Sequence, residues 1–274
     1  MLRLGWFSTA RGTTSPRLLA AAWDEIAAGR LRAQIAVVFC NREPGEDPQT
    51  DIFLEQVRGY GLPLVCLSSL RFRRERGAPP ARAGQPLPEW RHEFDREVMR
   101  RLEPYHFDLG VLAGYMLVVT EEMCRRFDLL NLHPAAPGGP KGTWQEVIWQ
   151  LIEAQAQTAG VMIHLATPEV DAGPPVTYCT YPIHGGAFDR PWKEIEGRDI
   201  TTIRATEGEA NTLFIEVRRH GVARELPLVV ETLRAFAEGR VRIVDKRLLD
   251  ASGRPVQGYD LTAEIERVVT STLS

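Results

Sequence analysis

Short runs of apolar residues recur along the first two thirds of the chain, separated by stretches with helix signals. Residues 2–8, 34–40 and 62–67 are nearly continuous apolar runs, which are typical of strands covered on both faces. Strands that alternate with helices favour a parallel, doubly wound sheet. The chain is therefore predicted to be an α/β protein, and its 274 residues are enough to bury a full core.

The same alternation continues to residue 183. Further strands are predicted at 109–113, 129–132, 161–165 and 175–183. Helices are predicted at 16–28, 51–59, 94–102, 120–127 and 144–156, with Ser15 as N-cap of the first and Thr120 as N-cap of the fourth. Beyond residue 185 we expect helices at 200–220 and 226–238 and a hairpin-like tail at 242–259.

These elements predict a doubly wound, mostly parallel sheet with a helical and hairpin C-terminal extension. The α/β core is expected to comprise residues 1–185, and residues 186–274 are expected to form an extension packed on that core. One segment, 71–90, interrupts the alternation with a basic run and then a stretch rich in Pro, Ala and Gly. We interpret it as a surface excursion whose Arg71, Arg73, Arg74 and Arg76 are solvated in preference to forming an anion site.

Composition limits the class of partner. The chain has 33 basic and 36 acidic residues and a net charge of -3, so no overall positive field attracts nucleic acid or an anionic membrane. No apolar stretch reaches the length of a membrane span. The four cysteines are scattered and lack zinc-ligand spacing, so they are expected to be reduced thiols in a cytoplasmic protein without a metal site. A small-molecule partner is the best starting hypothesis.

Polar residues at the ends of the later predicted strands indicate where the chemistry lies. Asn131 and His133 fall at the end of one strand, and Asp171 follows another; in open α/β sheets, ligands bind beyond the carboxyl ends of strands. An amide donor and an imidazole can stabilise the oxyanion formed when an amine attacks a formyl carbon, and a carboxylate can hold the imidazole in one tautomer. Taken singly, the three residues are more typical of a cap or a turn; their combination favours acyl transfer.

The ordered set of motifs Asn131-Leu-His-Pro134, 111–116 (VLAGYM) and His164 through Asp171-Ala-Gly-Pro174 resembles the 10-formyltetrahydrofolate-dependent formyltransferases. Among them it is most similar to those that formylate glycinamide ribonucleotide in purine synthesis. The resemblance runs from Leu2 to about Val241. It implies 10-formyltetrahydrofolate as co-substrate and a phosphorylated ribonucleotide amine as acceptor. It also implies that Asn131 and His133 stabilise the oxyanion, that Asp171 supports the histidine, and that an ordered water helps proton transfer.

The resemblance also implies two sets of binding residues. The folate-binding set comprises Met116, Leu117, Val118 and Val119 together with Thr167, Pro168, Glu169 and Val170 of a loop over the pterin. The acceptor-binding set comprises Gly12, Thr13 and Thr14 for the phosphate, with Gly114 and Glu225. A helix N-terminus after residue 14 gives an independent physical reason for an anion there. For Glu225 a solvated position at a helix end is the competing interpretation.

Three departures from the family pattern leave the acceptor open. The loop 135–142 has an unusual sequence, Leu117 stands where the family has an arginine, and Thr14 replaces an asparagine. The alternatives are therefore a formyltransferase acting on another amine such as an amino sugar, a 10-formyltetrahydrofolate hydrolase, or a non-catalytic protein that binds folate or a nucleotide. A tRNA acceptor is disfavoured, because the C-terminal region lacks basic character. A homodimer stays open.

Overall fold

The computed structural model describes residues 1–82 and 85–273, which form two compact units that interleave along the chain. The first unit comprises Met1–Asn131, Leu165–Pro174 and Leu233–Arg254. The second comprises Leu132–His164, Pro175–Thr232 and the chain from Pro255. The boundary expected near residue 185 stays a prediction.

The first unit is built on a parallel sheet. Its strands are β1 (Leu2–Ser8), β2 (Ala33–Cys40), β3 (Leu64–Cys66), β4 (Leu109–Leu112) and the start of β5 (Leu129–His133). Their order is β5-β4-β1-β2-β3, and every pairing among them is parallel. Because β1 is central, five of its seven residues are fully buried, as its continuous apolar sequence predicts.

Five helices flank these strands. They are α1 (Thr14–Ala27), α2 (Pro48–Gly59), α3 (Ser69–Glu75), α4 (Glu89–Leu102) and α5 (Glu121–Arg126). Helix α4 shows why the sequence folds this way, since Trp90, Phe94, Val98 and Leu102 recur at helical spacing and are all buried. They join Phe7 and Phe39 of the sheet in one hydrophobic core. The same buried face of α4 carries two charged residues, Arg91 and Asp95.

A tight hairpin completes the first unit. Strands β8 (Val241–Val244) and β9 (Arg247–Asp250) pair antiparallel through a turn in which Asp245 and Lys246 both have positive φ. This is the backbone that two-residue hairpin turns require. The Nζ atom of Lys246 lies 2.7 Å from Oδ1 of Asp128, just before β5.

The second unit combines a small sheet with helices. Strand β6 (Thr158–Leu165) pairs antiparallel with β7 (Pro175–Pro182), and β10 (Tyr259–Asp260) pairs parallel with β7. The helices are α6 (Trp144–Glu153), α7 (Asp189–Ile195), α8 (Ile200–Thr206), α9 (Thr212–Ala237) and α10 (Thr262–Leu273). No helix of residues 1–82 or 85–273 is long and apolar enough to cross a membrane.

The α/β class, with a mostly parallel sheet, flanking helices and a helical and hairpin C-terminal region, is confirmed. Helix α1 begins at Thr14, earlier than predicted, and Ser15 is not its N-cap. Ser15 lies in the first turn, where its hydroxyl donates to the carbonyl of Ala113 at 3.2 Å. Tertiary contact thus overrides the local Ser-Pro capping signal. His133 is the last residue of β5, which ends one residue later than the predicted strand 129–132.

The helices differ from the prediction in two further segments. The segment 71–90 contains part of α3, whose N-cap Ser68 accepts from the amide of Arg71, so the basic cluster lies mainly on a short helix. Residues 212–237 form one helix, α9, which contains Pro227, and the predicted break between residues 220 and 226 does not occur. Buried apolar side chains on both sides of the proline, including Val217 and Leu228, supply the packing that offsets the missing backbone hydrogen bond. The prediction also omitted α7 and α10.

Candidate active site

The loop from β1 to α1 carries the predicted phosphate-binding residues Gly12, Thr13 and Thr14, and all three are exposed. Thr13 is the N-cap of α1, but its side chain makes no capping hydrogen bond. No acidic residue lies in the first turn of α1. The positive end of the α1 dipole is therefore neither capped by the Thr13 side chain nor neutralised by a carboxylate of the first turn. Such a helix end is suited to bind an anion.

The segment after β4 lies beside this loop because β1 and β4 are neighbouring parallel strands. The amide of Thr9 donates to the carbonyl of Gly114 at 3.1 Å, and the Thr9 hydroxyl accepts from the amide of Met116 at 2.8 Å. These bonds connect the start of the β1–α1 loop to the segment 114–116. Thr9, which is 4% exposed, was not predicted to take part.

Gly114 fills a position that admits no side chain. Its φ is +69°, and a Cβ atom would lie 2.5 Å from Oγ of Ser15. A glycine is therefore required both by the backbone conformation and by the close approach of α1. Gly114 therefore has a steric role in this turn. That role does not depend on a contact between Gly114 and the acceptor.

The predicted folate-binding residues of this segment differ in exposure. Met116 is 74% exposed, Leu117 and Val118 are partly buried, and Val119 is buried. The backbone around them is bound by α4: Nη2 of Arg91 donates to the carbonyl of Val118 at 2.8 Å. Residues 116–119 thus carry apolar side chains on a backbone that Arg91 of α4 holds by a hydrogen bond.

Strand β5 carries Asn131 and His133. Side chains two residues apart on a strand project to the same side, so the predicted pairing of these two groups follows from the strand itself. Asn131 is partly buried, and its register partner on β4 is Leu112. His133 is 2% exposed.

The His133 imidazole is oriented by the loop that follows it. Its Nε2 lies 3.0 Å from the carbonyl oxygen of Pro140, and because a carbonyl only accepts, Nε2 is assigned as the donor of this hydrogen bond. The ring of His164, also 2% exposed, stands edge-on to it with centroids 6.3 Å apart. The unusual loop 135–142 therefore contacts the predicted catalytic histidine through its backbone.

Asp171 lies in the first unit on the loop 165–174, which closes where the amide of Leu165 donates to the carbonyl of Pro174 at 3.0 Å. The amide of Ala166 donates to the carbonyl of Leu129 at 2.7 Å, so this loop is attached to β5. Asp171 is partly buried and has φ +53°, a left-handed conformation that Asp tolerates better than most residues.

The other predicted folate residues of this loop are at its tip. Pro168 and Glu169 are exposed, and Val170 is 57% exposed. Thr167 donates its hydroxyl hydrogen to the carbonyl of Glu169 at 2.8 Å, which closes the turn. Met116 and Val170 are thus two of the few large apolar side chains left exposed, both in segments predicted to bind the folate.

Glu225 is not a solvated residue at a helix end. It lies inside α9, is 7% exposed, and its Oε1 is 2.6 Å from Nη1 of Arg218. The break expected between residues 220 and 226 would have placed Glu225 outside a helix, whereas the continuous helix buries it. Its proposed contact with the acceptor stays a prediction.

Sequence reasoning did not predict roles for Thr9, Arg91, Asp95 or His164. The strongest available signal was in α4, where Arg91 and Asp95 occupy an i, i+4 pair among apolar residues that recur at helical spacing. Charged residues on a buried face need partners. Within residues 1–82 and 85–273 there is no group of three or more His, Cys, Asp or Glu residues that could hold a metal ion.

Comparison with known proteins adds independent findings. The model of the formyl transferase family matches residues 12–186. The chain is 24% identical over 240 residues to phosphoribosylglycinamide formyltransferase of Escherichia coli, covering 86% of this chain and 90% of the relative. It is 32% identical over 170 residues to the Haemophilus influenzae enzyme of the same name, covering 61% and 68%.

A solved structure agrees with these relatives. Glycinamide ribonucleotide transformylase 1 from Symbiobacterium toebii superimposes with a TM-score of 0.59 at 26% identity, and the alignment covers 90% of this chain and 93% of that one. The likeness therefore extends well beyond the matched family segment.

Proposed function

The chain belongs to the formyl transferase family, and from that membership we propose that it transfers a formyl group from 10-formyltetrahydrofolate to the primary amine of glycinamide ribonucleotide. The observation that carries the proposal is the pair Asn131 and His133 at the carboxyl end of β5, a parallel strand next to β4. Relatives that match most of the chain are named for this reaction.

In the proposed reaction the amine nitrogen attacks the formyl carbon, forming a new C–N bond and a tetrahedral oxyanion. Asn131 and protonated His133 stabilise that oxyanion, and Asp171 supports the charged imidazole. The intermediate collapses by cleavage of the bond from the formyl carbon to N10 of the folate. The proton lost by the amine is matched by the one N10 gains, so the products are a formamide and tetrahydrofolate.

Two surfaces support the choice of substrates. Met116 and Val170 are exposed apolar side chains that suit contact with a pterin or benzoyl ring. Burying these side chains against such a ring removes apolar surface from water, which is favourable. The exposed N-terminus of α1, with Gly12, Thr13 and Thr14, suits the phosphate of a ribonucleotide. Cytoplasmic location and a homodimer stay predictions.

Replacement of His133 tests the chemistry. We expect His133→Ala to lower kcat by about 100-fold or more, because a donor to the oxyanion is lost. Asp171→Asn keeps a residue that accepts a left-handed backbone and removes the charge, so it should lower kcat less. The assay follows tetrahydrofolate formation with both substrates present. Exposed His106→Ala is the control and should retain wild-type activity.

The acceptor is tested with a panel of amines. Glycinamide ribonucleotide should give the highest kcat/KM, and its dephosphorylated form should lose affinity because α1 no longer binds an anion. Faster transfer to an amino sugar, or release of formate without any amine, would replace the proposed acceptor. Folate binding with no turnover on any of these would contradict an enzymatic function, and a His133→Ala variant as active as wild type would contradict the assigned mechanism.

A further inference from the structure

Residues 113–120 have no repeating secondary structure, although they follow a buried strand directly. Their backbone N–H and C=O groups therefore lack the partners that a sheet or helix would provide, and buried backbone groups need partners. Thr9 supplies two of these partners, one for the carbonyl of Gly114 and one for the amide of Met116. The partners at the far end of the segment come from helix α4.

Arg91 and Asp95 of α4 bind this far end at two points. Nη2 of Arg91 donates to the carbonyl of Val118 at 2.8 Å, and Oδ2 of Asp95 accepts from the amide of Thr120 at 2.8 Å. The two side chains also bind each other, with Nη2 of Arg91 3.0 Å from Oδ1 of Asp95. One ion pair thus holds both a carbonyl and an amide of the same short segment.

This pair is completely enclosed. Arg91 is 1% exposed and Asp95 is 0% exposed, and the guanidinium carbon of Arg91 lies 5.2 Å and 5.3 Å from the ring centroids of Trp90 and Phe94. Burial raises the pKa of the Tyr115 hydroxyl; the Asp95 carboxylate adds to this rise and the Arg91 guanidinium opposes it. The pair therefore acts on the segment through its hydrogen bonds.

Stability alone does not explain such a pair. Removing two charges from water costs several kcal/mol per ion, and well-packed apolar residues of similar volume are often as stable or more so. Nη1 of Arg91 is buried with no hydrogen-bond partner in the part of the chain that the structure describes. What apolar residues could not supply is the two directed bonds to Val118 and Thr120.

We propose that Arg91 and Asp95 are positioning residues for the folate-binding segment: through the carbonyl of Val118 and the amide of Thr120 they set the path of residues 116–119, and thereby the affinity for 10-formyltetrahydrofolate. The inference rests on the proposed function. The inference predicts that loss of the pair weakens binding of the folate donor and leaves binding of the acceptor unchanged. The reason is that Thr9 separately holds the opposite end of the segment and the α1 loop.

The test compares variants of the full chain. Arg91→Met and Asp95→Asn each remove one partner, and the double variant R91M/D95L removes both charges together so that neither is left buried and unpaired. Arg100→Met is the matched control, since Arg100 lies on the same helix and pairs with Glu97 at the surface. Measurements are kcat, KM for each substrate, urea unfolding, and the dissociation constant of 5-formyltetrahydrofolate, a folate that does not donate its formyl group here.

For the double variant we expect a protein that still unfolds cooperatively, with about a tenfold or greater rise in donor KM and in the dissociation constant of 5-formyltetrahydrofolate, because hydrogen bonds to charged groups are lost. Acceptor KM should change little. Arg91→Lys, which keeps one charged donor, should recover part of the donor affinity. Arg100→Met should match wild type in every measurement.

Two results would overturn the inference. One is a folded double variant that binds 5-formyltetrahydrofolate as tightly as wild type. The other is a parallel rise in KM for both substrates that simply follows the loss of stability, which indicates a structural role alone. Wild-type protein that binds no folate would instead refute the proposed function, and the inference with it.

Discussion

At some positions of this protein the required backbone conformation limits which residue types are tolerated. Gly114 has positive φ and leaves no room for a methyl group, whereas Asp171 holds a left-handed conformation with a side chain that tolerates it. Both lie in loops at the carboxyl ends of strands, the edge at which an α/β sheet binds its ligands. At this scale the backbone conformation of one residue determines the path of the segment that contains it.

Gly114→Ala should therefore destabilise the protein by about 1–3 kcal/mol, since it adds both a strained φ and a contact of 2.5 Å with Oγ of Ser15. Urea unfolding measures the loss. Gly29→Ala is the control, because Gly29 has φ +71° but no atom within 4 Å of the added Cβ. In a Ser15→Ala background the cost of Gly114→Ala should be smaller. Equal losses at Gly29 and Gly114 would contradict the steric account.

Helix α6 begins with a capping box. Oγ1 of Thr143 accepts from the amide of Glu146 at 3.3 Å, and Oε2 of Glu146 accepts from the amide of Thr143 at 2.7 Å. This capping box ends the loop 135–142, whose Pro140 carbonyl orients His133. The start of a helix thus fixes one end of the loop that contacts the predicted catalytic ring.

Thr143→Ala should lower the free energy of unfolding by about 1 kcal/mol, and Thr143→Ser should retain most of it. The amide and hydroxyl of Thr143 lower the pKa of Glu146 below its ordinary value of 4.5. A depressed carboxyl pKa stabilises the fold above the ordinary value, and the effect is lost as pH falls through the lowered pKa. The difference between Thr143→Ala and wild type should therefore shrink in acid, as urea unfolding at several pH values would show; a constant difference would contradict the assignment.

Across the whole molecule the four cysteines report on how well the core excludes water. Burial raises the pKa of Cys40 and Cys179 to about 12, and that of Cys66 and Cys124 to about 11. Only Cys66 is partly exposed. Because the thiolate is the reactive form, all four thiols are expected to react slowly while the protein is folded.

Thiol labelling at neutral pH measures this. Folded protein should react with a disulfide reagent slowly, Cys66 first, and all four thiols should react rapidly in urea. The rates of the three buried thiols should rise with urea concentration as unfolding does. Fast labelling of Cys40 or Cys179 in the folded protein would contradict their burial.

The sequence by itself determined the α/β class, the mostly parallel sheet and the placing of Asn131 and His133 two residues apart on one strand. Each depends on local periodicity: apolar runs indicate buried strands, and residues two apart on a strand share a side. The resemblance of ordered motifs supplied the family, which the match over residues 12–186 confirmed. The sequence can predict these features because each depends mainly on residues that are close together along the chain.

Only the tertiary structure decided the capping of α1, the continuity of α9 through Pro227, the burial of Glu225 and the contacts of Arg91 and Asp95 with Val118 and Thr120. Each depends on groups far apart in sequence. Ser15 caps no helix because Ala113 accepts its hydrogen bond, and Pro227 breaks no helix because apolar residues on both sides are packed. Local helix propensities differ by up to about 1 kcal/mol for most residues and by about 3 kcal/mol for proline, so the summed burial and long-range hydrogen bonds around these positions can reverse them.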